Sequence, residues 1–408
     1  ACKLHFEVSP LKIVRASKQY IYDEIGTEYL DCINNVSHVG HCHPHVVNAG
    51  QTQMGLLTTS NGFLNDNMTE YARRLIATLP DKLCVCYFVN SGSEANDLSL
   101  RLARAYTKKE DVMVLENAFH GNLGNLIDIS PLKYKKLNVK KKDWVHVVSC
   151  PDTFRGKYRD EQTAALSYAN DVQTALLEIQ RRDRGLAAFI CEPLISNCVV
   201  TFPKNYLKTV YRSVRDHGGV CIADEVQVGL GRTGEFWGFQ IHDVVPDIVA
   251  IGKPIGNGHP MACVVTSKEI ADSLAEYGSS FGGNPVSCAV GMAVLDVIQN
   301  EKLQSAARSV GKCLIDGFQA IQSSHCMMGD VRGQGMIVGV ELVMDKESRK
   351  PAKEAAEILC YRMKAENIII AHDGPDSNIV ILTPPLCFNC DNARRVIQAF
   401  DNILRSIE

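Results

Sequence analysis

A repeated unit constrains this chain most: an apolar run of strand length that ends at a polar residue or a glycine turn. Residues 83–89 lead into Asn90-Ser91-Gly92-Ser93, 112–115 into Phe119-His120-Gly121, and 186–190 into Glu192. Residues 220–223 lead into Asp224-Glu225, and 248–251 into Lys253. The runs do not alternate, so they fit strands covered on both faces. Helix-like segments separate several of them. Over 94–106, Ala95, Leu98, Leu102 and Ala105 share one stripe, and 205–217 is a second candidate closed by Gly218-Gly219. Alternating strands and helices predict an α/β fold with a mostly parallel sheet. Ligands of such sheets bind beyond the carboxyl ends of the strands, where all these polar residues fall.

The last hundred residues differ. Residues 331–335 lead into an alternating strand over 336–342, then a helix over 352–366 and a strand over 368–371. That pattern reads as a small α+β domain. Residues 19–22 and 28–32, separated by Glu24-Ile25-Gly26-Thr27, read as a hairpin docked on it. A chain of 408 residues is too long for one small core. The expected division is 1–45 as an N-terminal part of the small domain, 46–310 as the large domain and 311–408 as the C-terminal small domain.

The formal net charge of −3 gives nothing to recruit nucleic acid or an acidic membrane surface. The sixteen cysteines are scattered through apolar runs and read as reduced, small buried hydrophobes. With no apolar run near ~18 residues and no signal peptide pattern, a reducing compartment is expected, mitochondrial matrix or cytoplasm. The start at Ala1 rather than Met leaves a removed targeting segment open.

Lys253 leaves a buried strand among glycines, in Ala-Ile-Gly-Lys-Pro-Ile-Gly-Asn-Gly. Desolvation there favours the neutral amine, which can form an imine; a solvated lysine at a strand end is the plainer reading. Asp224 ends another apolar strand and needs a cationic partner, which a protonated ring nitrogen supplies. Gln227 follows at a spacing that reaches a ring substituent. Ser91-Gly92-Ser93-Glu94-Ala95-Asn96 joins a strand to a helix, where free N–H groups suit a phosphate. An ordinary serine cap is the alternative. Phe119, beside His120, offers an aromatic face.

These segments resemble, in order and wording, the class III aminotransferase-like family of fold type I pyridoxal-phosphate (PLP) enzymes. Asn-Ser-Gly-Ser-Glu-Ala-Asn, Ala-Asp-Glu-Val-Gln-Val-Gly-Leu-Gly-Arg-Thr-Gly and Phe-Gly-Gly-Asn-Pro-Val-Ser-Cys-Ala-Val carry the resemblance, which covers essentially the whole chain. It implies that Lys253 holds PLP, Asp224 meets the pyridine nitrogen and Gln227 the ring hydroxyl. Gly92 and Ser93 match the phosphate cup, Phe119 the stacking position, and His120 and Glu192 fall in the cofactor site. Ser280 matches a position that reaches the phosphate from a neighbouring subunit, which implies a homodimer with shared sites.

Within the family, Lys12-Ile-Val-Arg-Ala, His38-Val-Gly-His-Cys-His-Pro, Ile127-Asp-Ile-Ser-Pro and Gly256-Asn-Gly-His-Pro look most like ethanolamine-phosphate phospho-lyases and alanine–glyoxylate aminotransferase 2-like proteins. Family transaminases carry a carboxylate-binding arginine three residues before a Pro-Pro pair. Here that pair is Pro384-Pro385 and the position is Ile381. The expected reaction is elimination of phosphate from an amino-alkyl phosphate, with Lys253 as the base. Transamination of an amine or ω-amino donor is the first alternative, and PLP binding with little catalysis the second. Two departures motivate the alternatives: the phospho-lyases tend to have lysine at the Ile381 position and arginine where this chain has Gly62.

Other signals weigh less. Gly229-Leu-Gly231-Arg-Thr-Gly234 spells a dinucleotide motif, but no helix pattern follows. His38, His41, Cys42, His43 and His45 match no standard zinc spacing. Cys387 and Cys390 form a single CxxC, expected to be packed. Asn35 and Asn67 sit in sequons that matter only in a secreted protein.

Overall fold

The computed structural model describes residues 4–408, with every side chain among them except that of residue 135. A seven-stranded sheet runs through the molecule in the order Val85–Val89, Ala262–Thr266, Ile248–Ile251, Val220–Asp224, Leu186–Cys191, Asp111–Leu115, Val145–Val148. Neighbouring strands are parallel from Ile248–Ile251 to Val145–Val148. Ala262–Thr266 alone runs against both its neighbours. All residues of Val220–Asp224, Ile248–Ile251 and Leu186–Cys191 are buried, as their unbroken apolar runs require. Each fully buried Val or Ile contributes roughly 1.5–3 kcal/mol of burial.

Helix Gly92–Thr107 packs on this sheet through Ala95, Leu98 and Leu102. Ser91 caps it, its hydroxyl accepting from the Glu94 N–H. Helix Tyr206–Asp216 likewise buries Leu207, Val210 and Val214.

Two four-stranded sheets complete the fold. Strands Ile13–Ser17, Tyr20–Asp23 and Glu28–Asp31 form the expected antiparallel hairpin and one more strand. Asp23 Oδ1 ties its turn by accepting from the Ile25 and Thr27 N–H groups, and Gly26 supplies a φ of 91°. The other sheet orders Met328–Gln334, Ile337–Leu342, Ile379–Leu382 and Ala371–Asp373.

Two expectations for this region need correction. The strand expected over 368–371 is two strands. Ile368–Ile369 pairs in parallel with Glu28–Asp31, whereas Ala371–Asp373 pairs antiparallel with Ile379–Leu382. A break at Ile370 sends the two halves to different sheets, which local pattern cannot show. The strand read as alternating is buried at every position from Ile337 to Leu342, because helices Leu303–Gln322 and Lys353–Ala365 pack on it and Leu194, Val199 and Val228 cluster with Ile337. Residues 331–335, read as a lead-in, belong up to Gln334 to the strand Met328–Gln334, which pairs with it along its length.

The histidines of the 38–45 segment go to separate partners. His38 meets the Leu230 carbonyl, His41 meets Asp31, His43 meets Glu301 and His45 meets Asp296. Gly231 and Gly234 take left-handed φ values of 93° and 90° in a turn that packs on Gln304 and Arg308. Among the described residues, no helix is long and apolar enough to cross a membrane.

Candidate active site

Five strand ends meet at one cavity of about 170 Å³. The Gly92 helix start, the Phe119–Gly121 turn, Glu192, Asp224, Gln227 and Lys253 all line it. Every expected site residue but one is therefore brought together. Ser280 lies on an exposed loop and does not line this cavity.

Lys253 follows Ile248–Ile251 through Gly252 and opens a 3₁₀ turn with Pro254. Its φ of 32° lies in the region that favours glycine, so the side chain is held by a strained backbone. Burial lowers the Lys253 pKa, and the negative charges of Glu192 and Asp224 oppose that shift. A desolvated amine of this kind holds its proton less tightly than a solvated one, which favours its use as a nucleophile and a base.

Close backbone approach builds the cavity floor. A Cβ on Gly92 would stand 2.6 Å from Val226 Cγ1, and one on Gly252 would stand 3.1 Å from the Gly92 Cα. Only glycine at both positions lets helix start and lysine turn meet.

Asp224 is 2 % exposed, yet three donors reach it. The Asn96 amide donates to Oδ2 at 2.8 Å, His120 Nδ1 lies 2.8 Å from the same oxygen, and the Val226 N–H donates to Oδ1. Asn96 was not singled out in the sequence as a site residue. It stands one helical turn after Gly92, on the same face, which is the signal that could have found it.

Glu192 is as deeply buried. Ser196 donates to its Oε2 through both N–H and hydroxyl, at 2.7 and 2.6 Å. Burial, and then the charge of Asp224, push the Glu192 pKa up to about 7, with His120 acting the other way. Gln227 is held by two neighbours that the sequence did not mark as site residues: its amide donates to Ser196 Oγ at 2.5 Å and accepts from Asn35 Nδ2 at 2.8 Å.

Gln227 also lines a second cavity, of about 190 Å³, together with Asn35, Ser196, Asp373, Ile381 and Thr383. The two cavities share that wall. Gly62 is exposed, with no atom within 4 Å of an added Cβ, and lines neither.

Three buried polar atoms at the first cavity have no hydrogen-bond partner among the described residues: His120 Nε2, Asn96 Oδ1 and Glu192 Oε1. Buried polar atoms are seldom left so, and their clustering suits a polar ligand. A desolvated amine, a buried carboxylate, an aromatic side and a helix N-terminus together fit a phosphorylated pyridine aldehyde.

The fold and this donor set define a fold type I enzyme whose cofactor is pyridoxal 5'-phosphate. The chain belongs to the aminotransferase class-III family, which it matches over residues 5–404. It is 46% identical to the alanine–glyoxylate aminotransferase 2-like protein of Drosophila melanogaster, over 100% of this chain and 85% of that protein. It is 43% identical to ethanolamine-phosphate phospho-lyase homolog 1 of Caenorhabditis elegans, over 99% of this chain and 90% of that one. A phospholyase from Arthrobacter in complex with phosphoethanolamine superposes with a TM-score of 0.94 at 34% identity, covering 100% of this chain and 97% of that one.

Proposed function

We propose that this protein is a phospho-lyase that eliminates phosphate from an amino-alkyl phosphate, converting phosphoethanolamine and one water, which hydrolyses the enamine left by elimination, to acetaldehyde, ammonia and phosphate. One observation carries the reading. Ile381, at the position where family transaminases place their carboxylate-binding arginine, lines the cavity that adjoins Lys253 through Gln227. An isobutyl-sized apolar wall cannot grip an α-carboxylate, and phosphoethanolamine has none. The likeness to a phospholyase bound to phosphoethanolamine supports the same substrate.

When bound, the cofactor supplies an aldehyde to hold the substrate amine and a ring to accept electrons from Cα. Asp224 would hold the proton on the ring nitrogen, and Asn96 and His120 hold Asp224 in place. Gln227 would meet the ring hydroxyl, Gly92 and Ser93 would offer backbone N–H groups to the cofactor phosphate, and Phe119 would supply the stacking side chain. Lys253, whose pKa burial lowers, would take the Cα proton of the substrate.

Ser280 serves the partner's site in this reading, so the protein is a homodimer. Exposed Phe281 beside it supports an apolar contact there. Sedimentation at micromolar concentration should return twice the chain mass. The free thiols described throughout the chain support a reducing compartment, mitochondrial matrix or cytoplasm.

The direct test is to incubate the PLP-loaded protein with phosphoethanolamine and no amino acceptor. Acetaldehyde and phosphate should appear in equal amounts. No release at saturating PLP overturns the reading. Conversion of the cofactor to its amine form, reversed by a keto acid, would favour an aminotransferase instead.

A further inference from the structure

Among the described residues lining the two cavities, Lys253 is the sole lysine or arginine, and the cofactor claims it. The phosphate of the substrate thus meets no lysine or arginine of its own in either wall. Helix Pro131–Leu137 brings two to the rim. Lys133 Nζ lies 4.8 Å from the centroid of the Phe119 ring, a wall of the first cavity. Lys136 Nζ lies 3.6 Å from Asp373 Oδ1, a wall of the second. Asp373 ends the strand whose first residue, Ala371, pairs with Ile381. Positions i and i+3 share a helix face, so one short helix carries both ammonium groups to residues that line the two cavities, Phe119 and Asp373.

We propose that Lys133 and Lys136 are the cations that bind the substrate phosphate, and that they set the preference for phosphorylated amines. The inference rests on the phospho-lyase reading and supplies the charge that Ile381 and Gly62 lack. Ammonium groups bind phosphate as point charges, and two of them balance a dianion. Asp373 is the competing anion. Its pair with Lys136 is longer than the 2.7–2.9 Å usual for a charge-assisted hydrogen bond. Both partners are also about half exposed, at 49% and 42%. A substrate phosphate can therefore displace Asp373.

The test uses the holoenzyme and the variants Lys133→Ala, Lys136→Ala, Lys136→Arg and Asp373→Asn. Circular dichroism and the cofactor absorbance confirm that each is folded and loaded. Each alanine variant should raise KM for phosphoethanolamine by about tenfold or more while kcat changes by less than about threefold, as loss of one charge-assisted contact implies. Inhibition by inorganic phosphate should weaken in parallel. Lys136→Arg should keep both. Asp373→Asn should lower KM and tighten phosphate, a direction that loss of a merely structural ion pair would not give. Unchanged KM and phosphate inhibition in both alanine variants overturns the inference, as does weaker phosphate binding in Asp373→Asn. If the wild type releases no phosphate from phosphoethanolamine, the lyase reading falls by itself. Calorimetric binding of inorganic phosphate to holoenzyme and variants then decides the role of the two lysines.

Discussion

His120 and Asp224 meet side chain to side chain, ring Nδ1 to carboxylate Oδ2 at 2.8 Å, with both residues 2% exposed. Asn96 donates to the same oxygen, so the carboxylate keeps its charge and its aim without water. A buried charge is costly unless it is paired and hydrogen-bonded. Among the described residues no lysine or arginine pairs with Asp224, which leaves the carboxylate available to a cationic ring nitrogen.

Replacing Asp224 by Asn should therefore spare the shape and remove the charge. The ring nitrogen would lose its proton and its pull on electrons. Turnover with phosphoethanolamine should fall at least about 100-fold, in the range of a lost acid–base contribution. His120→Ala should cost less, because Asn96 and the Val226 N–H remain on the carboxylate. Steady-state kinetics on the two loaded variants checks the order; equal losses would argue that the charge at Asp224 is not what matters.

Lys253→Ala tests the covalent step. Wild type treated with borohydride after PLP loading should carry a reduced adduct on the peptide containing Lys253, read by mass spectrometry. The variant should carry none, and turnover should drop by about 10²–10⁴, the usual size of a positioned general base. A label on any other lysine of the wild type would remove Lys253 from its role.

How far the site was legible can be judged from these same residues. Lys253, Asp224 and Glu192 each stand just beyond an unbroken apolar run, and the parallel sheet brings such positions together. Their supports are another matter. Ser196 and Asn35 reach Gln227 from a loop and from the N-terminal segment, contacts that depend on tertiary packing alone. The antiparallel strand Ala262–Thr266 was equally hidden, since an apolar run carries no mark of its direction. The divided segment at 368–373 failed for a related reason: one local pattern serves two sheets.

Glu192 gives the protein a pH signature. Its folded-state pKa, about 7, lies above the ordinary carboxyl value of 4.5, so the folded state binds this proton more tightly than the unfolded chain does. The associated stability is fully present below about 4.5 and is lost as pH rises toward 7. Glu192→Gln keeps the Ser196 contacts through its carbonyl oxygen and cannot ionise. Relative to wild type, the variant of the apo-protein should gain stability between pH 5 and 8, on the order of 3 kcal/mol across the window. Urea midpoints measured at several pH values check this. A wild-type minus variant difference that stays flat with pH would place the proton elsewhere.

Gly92 makes the last prediction, because its contact is with a single removable side chain. A methyl group at 92 would stand 2.6 and 2.9 Å from the two γ-carbons of Val226, far inside van der Waals contact. Val226 is buried and follows Asp224 by two residues, so relief can come only by moving the strand end or the helix start. Gly92→Ala should therefore destabilise by about 1–3 kcal/mol, the usual cost of overpacking. It should also weaken PLP binding, since helix start and Asp224 would shift apart. Val226→Ala removes both γ-carbons, and the double variant should recover most of the lost PLP affinity. Fluorescence titration with PLP and thermal melts of the four proteins give the coupling energy directly. Additive losses would show that Gly92 is required for the backbone N–H groups it presents rather than for the space it leaves.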